Sequence, residues 1–133
     1  MIILDTHTLV WLDMGSALLG SHAIQVIDQA LADNALAISA ITFWEVAMLA
    51  RKGRLELEIK PRIWRNELME RGLIELSLDG KMGIQAAGLQ SFHGDPADRM
   101  IVATALATGS TLVTADKKIL DWSELSQKID ARL

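Results

Sequence analysis

The chain has 133 residues, half of them hydrophobic, with 13 Lys and Arg against 17 Asp and Glu for a net charge of −4. That length allows one domain, 1–133, with its own core, and the apolar content excludes an intrinsically disordered polymer. The absence of cysteine excludes disulfides and thiolate metal sites, and the negative balance argues against binding nucleic acid through overall field alone.

Met1–Leu4 is too short and lacks the basic start of a signal peptide, and no apolar run approaches the roughly 18 residues of a membrane span. The expectation is a soluble cytoplasmic protein with no membrane contact. Ile2–Leu4 is a short apolar run without polar alternation, as in a strand buried on both faces, and it runs straight into Asp5. Thr6–Asp13 reads as a helix broken at Gly15 and Ser16. Ser21 can cap a second helix, Ser21–Asp33, with Ile24, Ile27, Ala30 and Leu31 at helical spacing. Leu36–Ser39 reads as a second buried strand.

Thr42 and Glu45 have capping-box spacing at the start of a helix that runs to Gly53. Arg54–Lys60 alternates charge with Leu55, Leu57 and Ile59, as an extended segment or a loop. Pro61–Arg71 reads as a helix with proline in its first turn. Leu73–Ser77 is a third strand, and Asp79–Leu89 is helical despite three glycines. Asp95 and Pro96 open a helix that Gly109 closes after Thr108. Thr111–Thr114 is a fourth strand, Asp116–Leu120 a short helix, and Gln127–Ala131 a last strand. Strands alternating with helices predict an α/β fold with a central parallel sheet and right-handed crossovers.

Four acidic residues then stand out by position. Asp5 ends the first strand, Glu45 follows the second, Asp98 lies in the first turn after loop 91–95, and Asp116 follows the fourth. In a parallel sheet those junctions share the carboxyl edge, where ligands bind. Each acid also has a plain structural role available, as a helix cap or a strand end. Glu45 lies in line with Ile41, Met48 and Leu49, and Asp98 with Ile101, Val102 and Ala105, so both extend apolar stripes that face inward. An inward charge is costly unless it is paired or bound to metal. Oxygen-only ligation suits a hard ion, Mg²⁺ or Mn²⁺, rather than zinc.

Thr6, Ser39 and Thr114 accompany the acids as hydroxyls that can orient ligands or waters, and Asp95 supports the same helix start as Asp98. Turn chemistry is the preferred reading for Ser39. Arg99 reads as a phosphate contact or, preferably, a charge that neutralises the acids. His7, His22 and His93 stand at no ligand-pair spacing and read as structural or surface residues. Trp11, Phe43 and Trp44 read as core or subunit-contact residues. Seven of the 13 basic residues fall within 51–71, where four glutamates leave a local balance of +3. They form either a solvated face or a basic flank for a polyanion.

Four motifs in this order and spacing, namely Ile3–Thr6, Ser39–Val46, Asp95–Ile101 and Leu112–Asp116, resemble the PIN-domain ribonucleases of the VapC type, the toxins of toxin–antitoxin pairs. The resemblance covers nearly the whole chain, although 53–72 matches little. Family members often carry Ser or Asn where His7 stands and a bulky aromatic where Ala97 stands. The resemblance implies a three-layer sandwich with strand order 3-2-1-4-5, and an acidic site of Asp5, Glu45, Asp98 and Asp116. It implies Mg²⁺- or Mn²⁺-dependent cleavage of RNA, leaving 5′-phosphate and 3′-hydroxyl ends. It further implies a second copy of the chain, as a homodimer or higher even oligomer, and a small VapB-like antitoxin. On this reading Asp5 and Asp98 hold the principal ion directly, Asp116 and Glu45 contribute directly or through water, and a second ion is allowed. Glu45 is alternatively the base for the attacking water.

Two rival classes remain. A PIN-like scaffold would bind RNA or protein without cutting, yet a retired site would be free to lose its repulsive charges. An aspartyl-phosphate phosphatase would want a second Asp where His7 stands. A receiver domain is imitated poorly by Asp79 and Lys117.

Overall fold

The computed structural model describes all of residues 1–133. Five strands form one parallel sheet: β1 (Ile2–Leu4), β2 (Leu36–Ser39), β3 (Ile74–Leu76), β4 (Thr111–Thr114) and β5 (Lys128–Asp130). Their order is β3-β2-β1-β4-β5, the expected 3-2-1-4-5. β1 is central, with Ile3 opposite both Ala37 and Leu112.

Side chains alternate across a strand, so β1 feeds two separate cores. Leu4, Ile38 and Val113 pack on one side with Leu9, Ile27, Val46, Trp64 and Leu68. These come from α1 (Thr6–Met14), α2 (Ser21–Ala32), α3 (Ile41–Arg51) and α4 (Pro61–Glu70). Ile3, Ala37 and Leu112 pack on the other side with Ile101, Val102 and Ala105 of α6 (Pro96–Thr108). Ile119 of α7 (Lys117–Leu120) and the loop residues Phe92 and Trp122 join this second core, and α5 (Gly80–Ala87) packs beside α6. The three-layer sandwich therefore follows from short apolar strands that need cover on both faces.

Element boundaries fall within two residues of those expected, with three informative differences. The capping box at Thr42 and Glu45 does not form. α3 already begins at Ile41, and the buried Thr42 hydroxyl pairs instead with that of Thr6 at 3.1 Å. Ser21 is not the cap of α2; Gly20 is, and no side chain serves it. The Leu133 carbonyl accepts from the His22 N–H at 2.8 Å in its place. A Cβ on Gly20 would lie 2.3 Å from the Leu133 carbonyl carbon, so this close approach requires glycine. Segment 54–60 is a loop, although Leu55, Leu57 and Ile59 do pack against the first core.

Candidate active site

β1 delivers Asp5 to the carboxyl edge of the sheet, where the carboxylate is 4% exposed. It is also the N-cap of α1: Oδ1 accepts the Thr8 N–H at 2.9 Å. Oδ2 accepts from the Thr114 hydroxyl of the adjacent strand β4. The Thr114 Oγ1 in turn accepts the Asp116 N–H at 3.0 Å, tying the first and last acids together. Burial raises the Asp5 pKa, against the lowering by its bonds to Thr114 and Thr8.

Asp98 projects from the first turn of α6. Asp95 caps that helix, its Oδ1 accepting the Asp98 N–H at 3.0 Å. The Asp98 pKa is pushed up to about 8, chiefly by burial and then by the like charges of Asp95, Asp116, Glu45 and Asp5. Acids from four separate junctions thus act on one carboxylate, although the group whose donor atoms lie within 4.8 Å of one another is His93, Asp98 and Asp116, without Asp5 or Glu45. Asp116 caps α7 through Oδ1, which accepts the Lys118 N–H at 2.8 Å. The capping roles expected for Asp95 and Asp116 thus coexist with membership of the cluster.

Glu45 sits half-buried in the second turn of α3. Its pKa is raised, first by burial, with Asp95 and Asp5 adding to the rise and Thr6 and His7 opposing it. The inward stripe expected through Ile41, Glu45, Met48 and Leu49 runs along the rim of the core instead, since the buried residues of α3 are Thr42 and Val46. Ser39 Oγ accepts the Ile41 N–H at 3.3 Å, so it shapes the turn into α3.

Arg99 forms no ion pair with the acids; its guanidinium is taken up by backbone carbonyls. Its Nε donates to the His93 carbonyl at 2.9 Å, Nη2 to Phe92 at 2.8 Å and Nη1 to Ala86 at 2.9 Å. The guanidinium is a clip for the chain between α5 and α6, and a fork with five donors suits several carbonyls at once.

His93, which reads from the sequence as structural or surface but is the most interesting of the three histidines because Gly94 and Asp95 follow it, lies at the acids. Its Nε2 lies 3.3 Å from Asp98 Oδ2 and 4.0 Å from Asp116 Oδ2. Donor atoms of His93, Asp98 and Asp116 all fall within 4.8 Å of one another. The available signal was its place five residues before Asp98, in the loop that leads into α6.

Among the basic residues of 51–71, Arg51, Lys52 and Arg54 are exposed, whereas Arg65 pairs with Glu75 and Arg71 with Asp13. Arg54 lines a groove of about 650 Å³ with Thr6, His7, Trp11, Met14 and Leu49. Trp11 is partly covered by Arg132, whose guanidinium carbon lies 5.6 Å from its ring centroid. Phe43 meets Trp64 edge to face at 5.8 Å, while Trp44 is 54% exposed.

The donor set fits a hard divalent cation. It is rich in oxygen, and burial first of all raises the pKa of Asp5, Glu45 and Asp98, with like charges adding to the rise at Glu45 and Asp98, which a cation relieves. No helix is long and apolar enough to cross a membrane.

Comparisons with known proteins bear on the fold. The family model described as PIN domain matches residues 2–125. A curated relative, Ribonuclease VapC22 of Mycobacterium tuberculosis, is 35% identical over 119 residues, covering 89% of this chain and 88% of the relative. Among solved structures, a chain of VapBC2 from Rickettsia felis, bound to a DNA fragment from its promoter, superposes with a TM-score of 0.70 at 20% identity, covering 98% of this chain and 100% of that one. A toxin–antitoxin complex from Klebsiella pneumoniae gives 0.64 at 22% identity, with 98% of both chains covered.

Proposed function

This chain belongs to the PIN domain family, and from that premise we propose that it is an endoribonuclease toxin that hydrolyses RNA phosphodiesters at its four-carboxylate site. The observation that carries the proposal is that the Asp98 carboxyl, pushed up to about 8 first by burial, also feels the like charges of Asp95, Asp116, Glu45 and Asp5, acids from four junctions. Such repulsion works against folding, and it becomes useful when a cation offsets it.

Asp5 and Asp98 would hold a Mg²⁺ or Mn²⁺ ion, and Asp116 and Glu45 would complete the site directly or through water. The four carboxylates also suffice for a second ion. The bound ion supplies a water of lowered pKa and a Lewis acid for the phosphoryl oxygens. Asp5 is anchored by Thr114 and Thr8, so its carboxylate enters the reaction already oriented. Glu45 is half-buried on the rim with a raised pKa, which suits it to take the proton of the attacking water. In-line attack leaves 5′-phosphate and 3′-hydroxyl ends. The exposed Arg54, which shares a groove with Thr6 and His7, supplies positive charge for the RNA backbone.

A VapB-like antitoxin partner is supported by the likeness to VapBC2 and to the Klebsiella toxin–antitoxin complex. A second copy of the chain completes the proposed assembly, for which the exposed Ile84, Ile63 and Trp44 offer apolar surface.

Asp5→Asn keeps the size of the side chain and removes its charge. RNA cleavage should fall at least about a hundredfold while the far-ultraviolet circular dichroism is retained, a loss in keeping with removal of a group that stabilises the reacting charge. EDTA should abolish wild-type cleavage and Mn²⁺ restore it. A folded Asp5→Asn protein that cuts RNA at the wild-type rate, or a wild-type activity indifferent to EDTA, would sink the proposal.

A further inference from the structure

His93 is held with more care than a surface loop residue needs. Its ring stacks on Phe92 at 4.4 Å, and Trp122 meets Phe92 edge to face at 5.1 Å. Trp122 Nε1 donates to the Gln90 carbonyl at 2.9 Å, and Arg99 holds the Phe92 and His93 carbonyls. Loop 90–95 is thereby pinned at the backbone and at the ring, and it aims His93 at the acids.

The ring's polarity follows from its other nitrogen. Nδ1 accepts the Asp95 N–H at 3.4 Å, a contact that selects the tautomer with its proton on Nε2. A protonated Nε2 has no lone pair for a metal. It is a donor, buried and without a hydrogen-bond partner, although Asp98 Oδ2 lies only 3.3 Å away. Buried donors are rarely left unpaired, and contacts in an unloaded site often tighten when the ligand arrives.

We infer that His93 is a positioning residue whose Nε2–H fixes the Asp98 carboxylate, with Asp116 next in reach, and so sets the affinity of the acidic site for its cation. Through one oxygen of Asp98 it constrains the rotamer and leaves the other oxygen for the ion. This is the usual histidine–carboxylate arrangement of metal sites with the order reversed: here the carboxylate binds and the imidazole supports it. The inference rests on the cation reading proposed above, but its test does not depend on RNA cleavage.

Calorimetric titration of the intact protein with Mn²⁺ alone provides the test, using two variants. His93→Phe keeps a ring to stack on Phe92 and removes the donor; Mn²⁺ affinity should fall about tenfold. His93→Gln places an amide N–H near the position of Nε2 and should bind close to wild type. The electron spin-echo spectrum of Mn²⁺ in the wild-type protein should show no directly bound nitrogen. A directly bound nitrogen, a Phe variant that binds like wild type, or a Gln variant as weak as the Phe variant each overturns the positioning role. Failure of the wild-type protein to bind Mn²⁺ overturns both this role and the cation site. Mn²⁺ binding that depends on His93 in a protein that cuts no RNA supports the positioning role and overturns only the nuclease assignment.

Discussion

The Thr114 hydroxyl donates to the Asp5 carboxylate across a separation of 109 residues. Both residues end neighbouring parallel strands, so register alone brings them together. The hydroxyl satisfies one oxygen of a carboxylate that burial would otherwise drive toward its protonated form. Its second contact, from the Asp116 N–H, makes one side chain the brace for two acids.

Thr114→Val tests that brace with almost no change in shape. It leaves a buried carboxylate oxygen and the Asp116 N–H unpaired, which should cost about 1–3 kcal/mol in urea-induced unfolding. Affinity for Mn²⁺ should fall alongside it, because Asp5 loses its orientation. Unchanged stability and affinity would mean that the hydroxyl serves packing alone.

Asp98 predicts an inverted pH dependence for the metal-free protein. Its carboxyl keeps a proton up to about pH 8 in the fold, against an ordinary value of 3.8. Between those values the folded state holds more protons than the unfolded chain, so stability falls as pH rises. Thermal melts in EDTA between about pH 5 and pH 8 should show Tm declining, with the slope reduced by saturating Mg²⁺, which replaces the proton as the neutralising charge. Asp98→Asn should flatten the EDTA profile. A wild-type Tm that climbs over this range in EDTA would contradict the assignment.

Arg99→Lys should act on the loop rather than on the acids. Lysine cannot reproduce a fork that serves the Ala86, Phe92 and His93 carbonyls together. Amide exchange over 86–95 should speed up, and stability should drop by about 1–2 kcal/mol. Weakened RNA binding with unaltered exchange would instead identify Arg99 as a phosphate contact.

Much of the architecture was legible because its causes are local. Ile2–Leu4, Leu36–Ser39 and Thr111–Thr114 are short runs bounded by turn or cap residues, and the observed strands coincide with them. Asp95 before Pro96, and Gly109 after Thr108, mark the two ends of α6 by capping chemistry. The error at Thr42 came from the same kind of rule. Its hydroxyl had two possible partners, and the nearer in sequence lost to Thr6, which is 36 residues away.

What the sequence by itself determined is the alternation of apolar strands and capped helices, and with it the placing of Asp5 and Asp116 just after strands and of Glu45 and Asp98 near helix starts. Backbone periodicity and burial suffice for that, since they depend on a residue and its near neighbours. Only the tertiary structure decided which atoms meet: that Thr114 serves Asp5, that Arg99 is spent on carbonyls, and that His93 turns Nε2 toward Asp98. Hydrogen bonds are directional and short in range, so their partners are settled by how remote segments pack.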